Sequence, residues 1–426
     1  MAKRHHFEPG DWISVFARLE EMILARSGED PFVEILKLVV ALLRRSGEGH
    51  GHFSESEGTK ELQESLDQVN REWPELFGGR HHRLLLDSEL AENCIQVLNS
   101  VEVSNTSLEV FDAAFETLHS RVSKGAKGQF FTPRHIIDAC VKVLNPKSDE
   151  QVADTACGSA GFLVHALSHM AEDNKSDEVT RIANNNLWGF DFDQRAVDVA
   201  RALMICAANT TSNIVRSDSL LRSEVAPQLL AESGQSILPT IDTYMKAKLK
   251  KFPGFDVILT NPPFAGDVQD GYLLAGYETA NTKSRIERDV LFVERNVSLL
   301  KPGGRIAIVL PHNKVAGKST DNLREWLVRH LQVVAVLGLG RESFQPHTSQ
   351  KAVVLFGQKR LQPLRVVPDE QVMFVLSEKS GKTSKGEFLL KPGGRPHQDP
   401  WTTIDHDLES AVEAIRGHAR ELGLDW

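Results

Sequence analysis

The 426-residue chain is poor in cysteine. Its four, Cys94, Cys140, Cys157 and Cys206, form no C-x-x-C pair, so the spacing suggests neither a zinc site nor a disulfide framework, and a reducing compartment fits. Long apolar runs are missing too: none reaches the roughly 18 residues of a membrane span. The opening MAKRHHFEPGDW has charge where a signal peptide has an apolar centre, so the expectation is a soluble, cytoplasmic protein. Positive charge is also short. The formal net charge of −9 disfavours a protein that grips nucleic acid alone over its whole surface, leaving local patches or a partner to do so. What is present, 41% hydrophobic residues, suffices for the cores of two or three globular domains.

From Asp11 to about Val122 the pattern is helical: DPFVEILKLVVALLRR places Phe32, Ile35, Leu36, Val39, Val40 and Leu43 at spacings of three and four. SGEGHGHFSESEGTKE is polar and Gly/Ser-rich, and its His50 and His52 read as solvated loop residues, not metal ligands. From about Gly128 strands alternate with helices, at EQVADTA, NLWGFDF, SNIVRSD, FDVILTN, GRIAIVLP, VVAVLGLG and AVVLFGQ, with helical GFLVHALSHMAED and DQRAVDVARALMICAAN between the early ones. The fold class expected is α/β, a mostly parallel Rossmann-like sheet with helices on both faces, preceded by an all-helical domain. The domains are 1–122 (helical), 123–390 (catalytic) and 391–426 (linker and helix). That last helix, with Leu408, Val412, Ile415 and Leu422, is open to two readings, a docking element or a helix packed on its own domain.

Sheets of this kind bind ligands at the carboxyl ends of their strands. In VADTACGSAGFL, Gly158 and Gly161 allow close approach of the backbone to a ligand and of helix to strand, and Ala156 and Phe162 share the turn. The loop is neither G-x-G-x-x-G nor a P-loop, because the phosphate-binding lysine is missing. It offers instead Asp154, suited to a cationic ligand such as a methionine amino group. The next strand ends in GFDFD, where Asp191 can accept both ribose hydroxyl protons and Asp193 can cap the following helix. The third ends in RSDSLL, where Asp218, followed by Ser219, can accept from an adenine amine. Each Asp alone is more often a loop or cap residue. Three in order describe S-adenosylmethionine better than NAD or ATP.

The series GQFFTP, ADTACGSAGF, GFDFD, SDSL, TNPPF and GRIAIVLP resembles the amino-group DNA methyltransferases and, within them, the modification subunits of type I restriction enzymes, over roughly residues 115–360. The resemblance implies a SAM-dependent adenine-N6 methyltransferase. It gives FDVILTNPPF a physical meaning. An exocyclic amine is a poor nucleophile because its lone pair is delocalised into the ring. The Asn261 side-chain oxygen and the Pro262 carbonyl would hold its two protons, with Pro262 and Pro263 keeping that corner stiff. Phe264 would stack on a base swung out of the duplex. The bland alternative is a strand-ending turn with a core phenylalanine. No cysteine follows a proline, as cytosine-carbon methyltransferases would require, and no metal is implied. The resemblance also assigns Phe131, Thr132 and Pro133 to the methionine end of the cofactor. Locally, the same residues read as a helix entry with Thr132 as cap and Pro133 at the first helical position.

Arg222–Pro253 and the loop after NPPF are less legible. Lys283, Arg285 and Arg288 are candidates for DNA phosphates or for an ordinary solvated charge run. His312 can line the target-base cavity or end a strand, and Phe344, in FQPHTSQKAVVLF, can wall the base. No long target-recognition domain is visible after residue 360, so the expected partners are double-stranded DNA, a specificity subunit and a restriction subunit, with no membrane. The quartet also allows RNA-adenine, cytosine-N4 or protein-amide methylation, and a different class is a catalytically silent subunit that keeps the pocket.

Overall fold

The structure, a computed structural model, describes residues 12–47, 52–54, 56–76, 83–101, 132–171, 176–211, 213–227, 238–280, 283–346, 348–392 and 404–426. The chain divides into two compact units. One contains the described residues of 1–126 together with those of 194–212; the other contains those of 127–193 and 213–426.

In the first unit, helices Trp12–Arg26, Pro31–Gly47, Gly58–Glu72 and Ser88–Leu98 enclose a core of Trp12, Phe16, Leu19, Phe32, Leu36 and Leu66. Pro31–Gly47 is buried on nearly every side, Leu38, Val39, Val40 and Leu42 included, as expected of a central helix. Its polar residues are paired: Lys37 donates to Glu34 at 2.6 Å and to the Arg83 carbonyl at 2.8 Å, and Glu34 accepts from the Leu85 N–H at 2.9 Å. Helix Gln194–Ala208 adds Val199, Ala202, Leu203 and Ile205 to this core. His52 is exposed but bonded to the Val101 carbonyl at 2.8 Å, more ordered than a free loop histidine; His50 lies outside the described residues.

The second unit is built on a sheet. Its strands are β1 Val152–Asp154, β2 Leu187–Asp191, β3 Ile214–Arg216, β4 Phe255–Thr260, β7 Leu300–Pro311, β8 Leu331–Gly338, β9 Ala352–Lys359 and β10 Met373–Leu376; β5 Asp267–Val268 and β6 Ile286–Glu287 form a separate antiparallel pair. The order across the sheet is β10-β8-β9-β7-β4-β1-β2-β3. Neighbours from β3 to β7 are parallel, β9 runs antiparallel between β7 and β8, and β10 is parallel to β8. Each of the seven strands read from the sequence is present. The addition to the main sheet, β10, is a four-residue edge strand whose Phe374 and Leu376 are exposed. From β1 the chain runs outward to β2 and β3, then returns to the far side of β1 as β4. The switch of direction therefore falls between the carboxyl ends of β1 and β4, where open α/β sheets place their ligands.

Strand alternation assigns the faces. Trp188 and Phe190 pack in one core with Ile258, Ile306 and Ile308, under helices Ile241–Lys248, Arg288–Leu299 and Asp321–His330. Gly189 points the other way, where a Cβ would fall 2.9 Å from Leu163 of helix Gly161–Met170. Helix Arg134–Leu144 packs on Gly161–Met170, and helix Leu408–Glu421 packs in turn on Arg134–Leu144, β8 and β10. Leu408, Ala411, Ile415 and Ala419 are buried there, so of the two readings left open for this helix the structure takes packing on its own unit. Among the described residues no helix is long and apolar enough to cross a membrane, and no cluster of three or more His, Cys, Asp or Glu is arranged to hold a metal.

Candidate active site

The turn after β1 is shaped by two left-handed residues. Gly158 has φ +51° and Ala160 φ +68°. A Cβ on Gly158 would meet nothing within 4 Å, so glycine answers the backbone conformation and leaves the space above it open. At Gly161 the constraint is contact, since a Cβ would lie 2.5 Å from the buried Arg134 guanidinium. The N–H of Gly158 donates to Asp191 Oδ2 at 3.0 Å and that of Cys157 to the Phe190 carbonyl at 2.9 Å, which ties this turn to the end of β2. Ala156 is half-buried, while Phe162 points into the core at 3% exposure.

The acidic strand ends are deeply placed. Asp154 is buried, and its Oδ1 accepts from Thr260 Oγ1 at 2.7 Å and from the Ala156 N–H at 3.1 Å. Burial pushes its carboxyl up to about 7 against those bonds, with Asp191 adding to the rise. Asp191 accepts from Gly158 and, at 2.9 Å, from the Asp193 N–H; burial raises it to about 6. Asp218 is raised by burial as well and bonds the Leu220 N–H at 3.1 Å. Among the described residues no lysine or arginine is bonded to Asp154 or Asp191. Buried acceptors without a protein cation, beside a glycine turn lacking a phosphate-binding lysine, fit a ligand that brings its own positive charge and hydroxyl donors.

β4 brings the second half of the site to the same place. Thr260, fully buried at its end, joins Asp154 directly to the residue preceding Asn261. Thr155 Oγ1 donates to Asn296 Oδ1 at 2.7 Å, and Ser219 Oγ donates to the Thr155 carbonyl at 2.6 Å. The ends of β1, β3 and β4 are thus laced to helix Arg288–Leu299. Asn261 and Pro263 are half-buried and Pro262 and Phe264 buried. The Phe264 ring meets Phe344 edge-on, centroids 5.9 Å apart. Phe344 is itself 1% exposed, so the two rings form a single apolar corner beside the turn.

The loop after NPPF, illegible in the sequence, is a small structured roof. Leu274, Tyr277, Ala280 and Ile286 pack with Leu220, Leu291 and Phe292, and Ala156 lies against them. Tyr277 donates to the Leu220 carbonyl at 2.6 Å. Buried Glu294 accepts the N–H groups of Glu278 (3.0 Å) and Thr279 (2.8 Å) and pairs with Arg222 at 2.9 Å. Arg285 pairs across β5 and β6 with Asp267, Nε to Oδ2 2.8 Å, and Lys283 is exposed. His312 is exposed at the first position of helix His312–Ala316, its N–H bonded to the Lys351 carbonyl at 2.8 Å. At the entry to the unit, buried Pro133 is the N-cap and Arg134 the first helical residue; the helix begins one position later than the Thr132-cap reading has it. Phe131 lies outside the described residues.

Thr155 and Thr260 stand inside ADTACGSAGF and TNPPF but have no role in the sequence reading, and Asn296 lies in no motif. The available signal was a threonine closing an apolar strand directly before NPPF.

The profile of the N-6 DNA methylase family matches residues 106–392. Among curated relatives, the EcoEI type I restriction enzyme methylase subunit of Escherichia coli is 25% identical over 282 residues, 65% of this chain and 52% of its own. The EcoKI methylase subunit of Escherichia coli K12 is 26% identical over 223 residues, 51% of this chain and 38% of its own. This chain thus spans about half or less of the length of these relatives. Among solved structures, a type I restriction-modification methyltransferase subunit from Streptococcus thermophilus superposes with a TM-score of 0.56 at 15% identity, covering 96% of this chain and 93% of that one. A modification subunit assigned to a type I restriction enzyme from Vibrio vulnificus gives 0.60 at 18%, covering 84% and 83%. The two structures agree with the fold, and the profile, spanning the acidic strand ends and the NPPF turn alike, decides the family: this chain belongs to the N-6 DNA methylases.

Proposed function

We propose that the protein is an S-adenosylmethionine-dependent DNA adenine-N6 methyltransferase, the cytoplasmic modification subunit of a type I-like restriction or phage-defence complex. The observation that carries this reading is the Thr260–Asp154 hydrogen bond of 2.7 Å, which sets an acidic, cation-seeking cleft against the NPPF turn. Asp154 would face the ammonium end of the cofactor, Asp191 the ribose hydroxyls and Asp218 the adenine amine, with Ala156, Gly158, Gly161, Ser219, Thr132 and Pro133 shaping the cleft; Phe162, expected as a cofactor contact, would back it from the core, and Phe131 is a contact by family resemblance alone. When bound, S-adenosylmethionine supplies a methyl group made electrophilic by its sulfonium. The protein's part is to aim the acceptor: Asn261 Oδ1 and the Pro262 carbonyl accept the amine protons and draw the nitrogen lone pair out of the ring. Pro263 stiffens that corner, and Phe264, backed by Phe344, offers a ring for the extruded base. The surplus proton passes to water, so no general base is assigned.

The mostly buried thiols, none of them in a disulfide, support a reducing compartment, and the net charge of −9 supports delegated DNA reading, with a specificity subunit supplying sequence recognition and a restriction subunit able to join. Purified with the products of its neighbouring genes, the chain is expected to move a labelled methyl group to duplex DNA, and a nucleoside digest should yield N6-methyladenine. Asn261→Ala should lower transfer by about 100-fold or more, the order expected when one preorganised hydrogen-bonding group is removed from a reacting centre, while cofactor affinity stays within about twofold. Undiminished transfer in that variant would remove the catalytic assignment, and a label on RNA, cytosine or protein would replace the substrate.

A further inference from the structure

The cations around the catalytic turn are almost all engaged within the protein. Arg285 pairs with Asp267, Arg222 with Glu294 and Arg295 with Asp242; Lys314 reaches Glu287 at 2.5 Å and Asp289 at 3.3 Å. Arg288 differs. Among the described residues its guanidinium donates no hydrogen bond and enters no ion pair. It lies over Gly266: a Cβ there would fall 3.2, 3.3 and 3.7 Å from its Nη2, Cζ and Nη1. The Arg288 N–H donates to the Gly266 carbonyl at 2.9 Å, which fixes the arginine's backbone to the same residue. Gly266, at φ +102°, stands two positions after Phe264, so the platform is part of the catalytic turn's own continuation.

The helix that Arg288 opens does not account for a charge at this point. Arg288 is the first residue of helix Arg288–Leu299, the end at which the helix dipole disfavours a cation. The buried carboxylate beside it, Asp289, turns to Lys314 instead. The side chain is only half-buried, so its fork remains open to a partner from solution. Its charge also acts on Asp218, drawing that carboxyl down against the larger effect of burial.

We propose that Arg288 is a DNA-binding residue of the site, its guanidinium held flat on Gly266 so that its free edge takes a backbone phosphate next to the extruded nucleotide. A planar fork meets phosphate oxygens two at a time, which an ammonium cannot do. This inference rests on the reading of the protein as a DNA methyltransferase.

The test uses the full chain assembled with its specificity partner, as wild type, Arg288→Gln and Arg288→Lys, with duplex DNA over a range of salt. For Arg288→Gln the KM for DNA should rise roughly tenfold, the worth of one charge-assisted hydrogen bond, with kcat within about twofold and cofactor affinity unchanged. The slope of log affinity against log salt should flatten by about 0.9, one phosphate's share. Arg288→Lys should restore the slope and only part of the affinity. In a second measurement, a neutral methylphosphonate beside the target adenine should weaken wild-type binding and leave Arg288→Gln indifferent. An unchanged salt slope, or equal sensitivity of both proteins to the methylphosphonate, overturns the proposal. So does a loss confined to cofactor affinity, which would assign Arg288 to Asp218. A wild type that transfers no methyl to DNA removes the underlying reading instead, and the wild-type arm alone reports that result.

Discussion

Asp154 sits in a place that opposes its own charge. Its carboxyl, raised by burial to about 7, and that of Asp191, raised to about 6, hold their protons more readily in the folded chain than in the unfolded one. The stability this confers is complete below the ordinary carboxylate range near 4 and fades as pH climbs through 6 and 7. The ligand-free chain should therefore lose Tm relative to Asp154→Asn between pH 5 and pH 8 in differential scanning calorimetry. A difference that stays flat or grows with pH would contradict the assignment. Affinity for a cationic cofactor should run the other way, rising over the same window by titration calorimetry, because only the ionised carboxylates attract it. Residues of this kind were open to sequence reading in unequal measure. Asp154, Asp191 and Asp218 stand out because each closes an apolar strand, and Asn261 because two prolines follow it. Thr260 and Asn296 do not, since a lone buried threonine or asparagine differs from a core residue only in whom it touches, and partners 106 and 141 residues apart leave no local trace.

Among the elements, the roof that follows NPPF shows what periodicity misses. The seven strands were legible because their apolar runs are bounded by turns and alternate with helical stretches. The roof has no such rhythm. Leu274, Tyr277, Ala280 and Ile286 are gathered by the fold, and its strands β5 and β6 have two residues each. Its order rests on Glu294, whose carboxylate takes two backbone N–H groups and Arg222 together. Glu294→Gln leaves Arg222 without a counter-charge and one N–H poorly bonded. A loss of roughly 2 kcal/mol in urea unfolding is expected, from charge-assisted hydrogen bonds in a mostly buried setting. Limited proteolysis should open the chain between residues 271 and 280. Wild-type resistance in that variant would mean the apolar cluster alone holds the roof.

For the molecule as a whole, composition and motif order sufficed for an α/β sheet with helical additions, but not for the division of the chain. Helix Gln194–Ala208 follows β2 directly and reads as part of the sheet domain, yet it shares its core with the N-terminal helices. The last helix was legible as amphipathic and nothing more, because a stripe of Leu408, Ile415 and Ala419 does not name what it covers. Its seat is on helix Arg134–Leu144, with Ile415 fully buried. Ile415→Ala should lower the stability of the second unit by about 2–5 kcal/mol, the usual range for emptying such a position, as followed by denaturant midpoint. An unchanged midpoint would show the helix to be loosely attached.

That seat bears on how the protein is made. His135, in the first turn of Arg134–Leu144, stacks on His406 with ring centroids 5.2 Å apart and bonds the carbonyl of Ser380, 245 residues downstream. Before that downstream segment is translated, the helix has no finished surface to settle against. The surface that covers this helix is complete only after residues 380–421 have emerged, so in the nascent chain that face of the sheet unit stays open until the downstream segment arrives.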